Sequence, residues 1–60
     1  MPDLVEGLRI ERKGEPAKIE KIRYAMVCFR YDRNPKTKFW IDAARLRYEL
    51  EEGTTKILSG

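Results

Sequence analysis

Residues 24–48, YAMVCFRYDRNPKTKFWIDAARLRY, constrain the fold more than any other part of the chain. Apolar and polar residues alternate up to Tyr31, stop at DRNPKTK and return as FWID. Alternation with a period of two is typical of a half-buried strand, and Asn34-Pro35 has the composition of a turn. The segment therefore predicts a β-hairpin, followed by good helix-forming residues at positions 43–46, AARL.

The same alternation assigns the hairpin side chains to two faces. The face expected to meet the core carries Ala25, Val27, Phe29, Tyr31, Phe39 and Ile41. The opposite face carries Met26, Cys28, Arg30, Asp32, Lys38 and Trp40. We therefore expect Trp40 to point away from the core, with Arg30 and Lys38 as neighbours.

The first half of the chain contains two shorter strand candidates. Leu8 and Ile10 alternate with charged residues, and residues 12–16, RKGEP, have the composition of a turn. Residues 17–22 continue as a second strand if a bulge at residue 20 or 21 returns Ile22 to the inside. Residues 16–31 also fit a helix, but their β-branched and aromatic residues favour strands.

The C-terminal part of the sequence leaves the length of the helix open. Asp42 can cap the N-terminus of a helix that either makes one turn near residues 42–46 or continues to residue 52. Gly53 would end the longer helix, and residues 54–58 would form a closing edge strand. Sixty residues make a single small domain, with a core expected over about residues 7–58.

Four segments together resemble the strand series of SH3-like small β-barrels, with the KOW and Tudor-type members most similar. They are residues 7–10, 17–22, 27–32 and 39–47: GLRI, AKIEKI, VCFRYD and FWIDAARLR. The resemblance implies an all-β barrel of about five strands with one short helical turn near residues 42–46. Barrels of this class bind nucleic acids, mediate protein interactions or serve as accessory subunits, so the fold alone does not choose a function.

Charge is unevenly distributed along the chain. The net charge is +3, but residues 8–48 hold twelve Lys or Arg against five acids, and both ends are acidic. Clustered cations are what phosphate contacts require. A solvated surface of mixed charges is the alternative explanation.

Several classes of function do not fit the composition. The chain has no His and a single Cys, Cys28, so it lacks the usual catalytic base and the usual metal ligands. We therefore expect no enzyme activity, no cofactor, no metal and no intramolecular disulfide. Because no apolar stretch reaches the roughly 20 residues that span a bilayer, we expect a cytoplasmic protein without membrane contact.

These features predict a nucleic-acid-binding module, for DNA or RNA, of low sequence specificity. An aromatic ring flanked by cations can stack on an unpaired base while the cations contact phosphate. The predicted binding residues are Arg30, Lys36, Lys38, Trp40 and Arg45, with Lys21 and Arg23 ranked second. The alternative is a protein-interaction module, an accessory subunit or a homodimer. Its contact patch would consist of Tyr24, Met26, Trp40 and Tyr48.

Overall fold

The computed structural model describes residues 4–59. Within this range the elements are β1 (Arg9–Arg12), β2 (Glu15–Arg23), β3 (Met26–Tyr31), β4 (Phe39–Asp42), α1 (Ala43–Glu52) and β5 (Thr55–Ser59). The strands form one antiparallel sheet in the order β4-β3-β2-β1-β5. This architecture of five strands and one short helix confirms the predicted small all-β fold.

Residues 16–31 form strands β2 and β3 with a turn between them, and not a helix, as the β-branched and aromatic residues predicted. The register between β2 and β3 shifts between Ile19 and Lys21, which places a bulge at Glu20. Ile19 lies opposite Phe29 before the shift, and Ile22 lies opposite Val27 after it. The predicted bulge therefore returns the second isoleucine to the inner side of the sheet.

Two tight turns connect the first three strands. Lys13 and Gly14 join the pair Arg12 and Glu15 with φ values of 56° and 78°, the backbone twist that suits a two-residue hairpin. A second turn, at Tyr24-Ala25, joins β2 to β3, where the sequence predicted two strands but identified no turn. Ala25, expected to face the core, is exposed in this turn because the chain reverses there.

The helix is the longer of the two alternatives. It continues for ten residues beyond Asp42, and Gly53 ends it with a φ of 85° and an N–H that donates to the Glu49 carbonyl. Asp42 occupies the N-cap position, but its carboxylate makes no capping hydrogen bond. The Ala43 N–H instead donates to the carbonyl of Ala25 at 2.7 Å, so the β2–β3 turn supports the helix start. No helix within residues 4–59 is long and apolar enough to cross a bilayer.

The core lies between the inner face of the sheet and α1. Its buried members are Leu4, Leu8, Ile10, Ala17, Ile19, Val27, Phe29 and Leu46. Phe29 stacks on Phe39 and meets Tyr31 edge-on, with ring centroids 5.5 Å and 5.4 Å apart. Burial of a side chain of this size contributes about 1.5–3 kcal/mol.

One end of the core is polar. Arg12 points inward from β1, with its guanidinium carbon 5.5 Å from the centre of the Phe29 ring, and pairs with Glu49 of α1. The hydrogen bond from Arg12 outweighs burial and holds the pKa of the Glu49 carboxyl at about 2, below its ordinary value of 4.5. The same hydrogen bond raises the pKa of Arg12, so both groups are charged in the folded protein.

Candidate nucleic-acid interface

The sheet presents a polar side away from the core, which we call the outer face. Strand register and alternation place its residues, because side chains two apart on a strand point the same way. On β1 to β4 these residues are Arg9, Glu11, Lys18, Glu20, Lys21, Arg23, Met26, Cys28, Arg30, Trp40 and Asp42. Cations outnumber acids among them, so the outer face is basic.

Trp40 lies on this face, where the hairpin alternation placed it. It is opposite Cys28 of β3, which is in turn opposite Lys21 of β2, so the three side chains form a row across three strands. Trp40 is 50% exposed, whereas Cys28 is only 1% exposed. Because Cys28 faces away from the core, its neighbours on the outer face must cover it. Directly opposite side chains are the nearest such neighbours. Half of the Trp40 surface stays open to solvent, so the indole can shield Cys28 and still offer an exposed part to a ligand.

Arg30, a predicted binding residue, is held by other groups. Its guanidinium is bonded to Glu20, with Nε 2.8 Å from Oε1, and Nη1 donates to the Pro35 carbonyl at 2.9 Å. Arg9, on the same face, forms an ion pair with Asp32. These arginines would have to give up existing partners to contact a phosphate.

Most of the arginines in residues 4–59 form ion pairs, and the exceptions are Arg23 and Arg47. All the ion pairs within residues 4–59 use arginine, namely Arg9, Arg12, Arg30, Arg33 and Arg45. No lysine takes part in a salt bridge in the described part of the chain. Lys18, Lys21, Lys36 and Lys38 are exposed. The charges available to a binding partner on this side are therefore mainly lysine ammonium groups.

Arg45 does not lie on the outer face with Trp40. It lies on α1, where its Nε donates to Glu49 at 3.3 Å and its guanidinium carbon is 5.6 Å from the centre of the Tyr48 ring. With Lys13 and Thr54 it lines a cavity of about 400 Å³ beside the helix. Of the predicted binding residues, Arg30 and Trp40 lie on the outer face. Lys36 and Lys38 lie in the loop before β4.

Lys18 belongs to the outer face but was missing from the predicted site, and Lys21 and Arg23, ranked second, also lie on this face. Lys18 pairs in register with Arg30 on β3 and with Arg9 on β1. Alternation in residues 17–19, AKI, was a sufficient signal for Lys18, which lies between two buried residues. The orientation of Lys21 depends on the bulge at Glu20, which sequence reasoning left between two positions.

Comparisons with protein-family models, with curated proteins and with solved structures found no match. Function must therefore be argued from the surface chemistry of the chain itself. Within residues 4–59, no three His, Cys, Asp or Glu side chains are grouped so that they could hold a metal ion. The most distinctive arrangement in this range is the half-exposed Trp40 among unpaired lysines.

Proposed function

We propose that this protein is a small nucleic-acid-binding module that uses its outer face. The observation that supports the proposal best is the position of Trp40, in register with Cys28 and Lys21 and two residues after Lys38. Both lysines are exposed and free of salt bridges among the described residues. Ammonium groups around an aromatic ring suit a ligand that combines phosphates with flat bases.

We expect low sequence specificity because most of the unpaired cations on this side of the protein are lysines. Lysine offers a point charge, whereas the arginine fork fits two acceptors of a guanine edge at once. Of the outer-face arginines, Arg9 and Arg30 are engaged by Asp32 and Glu20, and only Arg23 is free of ion pairs within residues 4–59. Contacts to the phosphate backbone should therefore contribute most of the binding free energy.

The wider identity proposed for the chain follows from the same features. We infer an SH3-like small barrel because an antiparallel sheet of five strands, the first three joined by tight turns, agrees with the resemblance of the sequence. We also infer a cytoplasmic binding module, as the sequence pattern predicted. We infer no enzyme activity, since the sequence offers no histidine as a base.

Salt-dependent binding of a labelled oligonucleotide, followed by fluorescence anisotropy, tests this proposal. Lys18→Ala and Lys21→Ala should each weaken binding and reduce the slope of log K against log salt by about 0.7–0.9, the loss of one phosphate contact. Arg47→Ala is the matched control, because Arg47 is an exposed cation on α1 that makes no ion pair within residues 4–59. The control variant should bind like the wild-type protein.

Two outcomes would contradict the proposal. Equal losses in all three variants would mean that binding follows net charge alone and not the outer face. Absence of saturable binding well above the roughly 10⁻⁴–10⁻⁶ M range of nonspecific complexes would favour the protein-interaction alternative.

A further inference from the structure

We propose that the ligand of the outer face is a single-stranded nucleic acid, one unpaired base of which stacks on Trp40. This inference rests on the nucleic-acid-binding function proposed above. It adds the class of nucleic acid, which the residue pattern alone left open. Three features of the structure support it: the exposure of the indole, the positions of the lysines and the charge of the helix.

The first feature is the place of Trp40 in the sheet. It lies on β4, an edge strand whose only strand neighbour is β3. Cys28 lies directly opposite it on β3, and half of the Trp40 surface remains open to solvent. In a duplex the base faces are stacked on one another, so a ring on a sheet surface cannot reach them. An unpaired base can lie on such a ring.

The second feature is the arrangement of free cations around the ring. Lys38 precedes Trp40 by two residues, in the loop that leads into β4, and Lys21 lies two strands away, about 10 Å across the sheet. Both ammonium groups are on flexible stems and unpaired within the described residues. Phosphates on either side of the stacked nucleotide would therefore find a cation within reach.

The third feature argues against a duplex. Proteins that read a duplex commonly insert a basic helix into the major groove. The only helix in residues 4–59 is α1, which has no basic residue in its last turn. Its C-terminal half instead carries Glu49, Glu51 and Glu52. Its two cations, Arg45 and Arg47, do not outnumber these acids, so α1 lacks the excess positive charge of a helix that reads a groove.

A matched pair of variants tests whether Trp40 stacks on a base or only covers Cys28 with an apolar side chain. Trp40→Phe keeps an aromatic face, whereas Trp40→Leu keeps an apolar side chain over Cys28 but removes the ring. The probes are labelled oligothymidylate of about 12 nucleotides and a duplex of the same length. For oligothymidylate, we expect Trp40→Leu to weaken binding at least about fivefold and Trp40→Phe to retain most of the affinity. Neither change should alter the weaker binding of the duplex.

A second measurement needs no variant. Trp40 is the only tryptophan, so its emission reports on this position directly. Oligothymidylate should quench it saturably, and the duplex should not.

The results distinguish this inference from the proposed function. If the wild-type protein binds duplex as tightly as oligothymidylate, and Trp40→Leu binds like Trp40→Phe, the single-strand inference is wrong. The proposed function would then still stand. If the wild-type protein binds neither probe, both are wrong.

Discussion

Arg12 on β1 and Glu49 on α1 form a two-point ion pair, with Nε 2.8 Å from Oε1 and Nη2 3.0 Å from Oε2. The Thr55 hydroxyl of β5 donates to the same carboxylate at 2.9 Å, and Arg12 Nη1 donates to the Tyr31 hydroxyl at 3.2 Å. The Glu49 side chain is 8% exposed and that of Arg12 16%. One carboxylate therefore connects the helix to β1 and β5.

Removing the charge of Glu49 should destabilise the fold. Glu49→Gln keeps the size of the side chain but leaves the Arg12 guanidinium without its counter-charge in a largely buried place. We expect the free energy of unfolding to fall by about 2–3 kcal/mol, measured by urea denaturation. Glu52→Gln is the control, since Glu52 is exposed on the same helix and makes no ion pair within residues 4–59. Equal stability of the two variants would show that the pair contributes nothing.

The same carboxylate predicts a pH dependence of stability. The pKa of Glu49 is about 2 in the folded protein and near 4.5 ordinarily. Between these values the unfolded chain binds a proton that the folded chain excludes. The stabilisation is therefore complete above about pH 4.5 and is lost as the pH falls through 2, with a total on the order of 3 kcal/mol. Unfolding free energies of wild type and Glu49→Gln should converge as the pH falls from 5 to 2. A constant difference over that window would contradict this assignment.

Tyr24 has a left-handed backbone conformation, with a φ of 56°, and a fully exposed side chain. This conformation is costly for a bulky residue and much less so for Asn. Because the ring contacts nothing that its replacement would lose, Tyr24→Asn should raise the free energy of unfolding by about 0.5–1 kcal/mol. Tyr24→Phe should leave it unchanged. A loss of stability in Tyr24→Asn, measured by urea denaturation, would show that the phenol ring has a structural contact.

The hairpin of residues 24–48 could be predicted because a period of two specifies both the strands and their faces. The turn at Tyr24-Ala25 could not, since neither residue is a typical turn former. The length of the helix was equally open. The second half of α1 is held to the sheet by Glu49, which is buried against Arg12. The sequence could not predict this contact, because a glutamate on a helix normally faces solvent.

The candidate site was predictable in part for similar reasons. The outward position of Trp40 follows from alternation alone. Alternation does not show which cations are free of ion pairs. Arg30 pairs with Glu20, and the position of the bulge at Glu20 was left open by the sequence. Arg45 is close to Trp40 in sequence. The helix, however, brings its side chain to Glu49, four residues on, where the i,i+4 spacing allows an ion pair.

A thiol reagent tests whether Trp40 covers Cys28, since Cys28 is the only cysteine. A 1% exposed thiol should react slowly in the folded protein, at a rate limited by opening of the structure. Trp40→Ala removes the side chain directly opposite and should speed the reaction at least about tenfold beyond what its change in global stability explains. Tyr48→Ala, which truncates an equally exposed aromatic residue on α1, should not.

Urea denaturation of both variants supplies the correction for global unfolding. If the corrected rates of the wild-type protein and Trp40→Ala agree, Cys28 is covered by other residues of the outer face. Trp40 would then be free to move as a whole onto a ligand. If the corrected rate is higher in Trp40→Ala, the indole has two roles. It shields Cys28 from the reagent, and its exposed part remains open to a base.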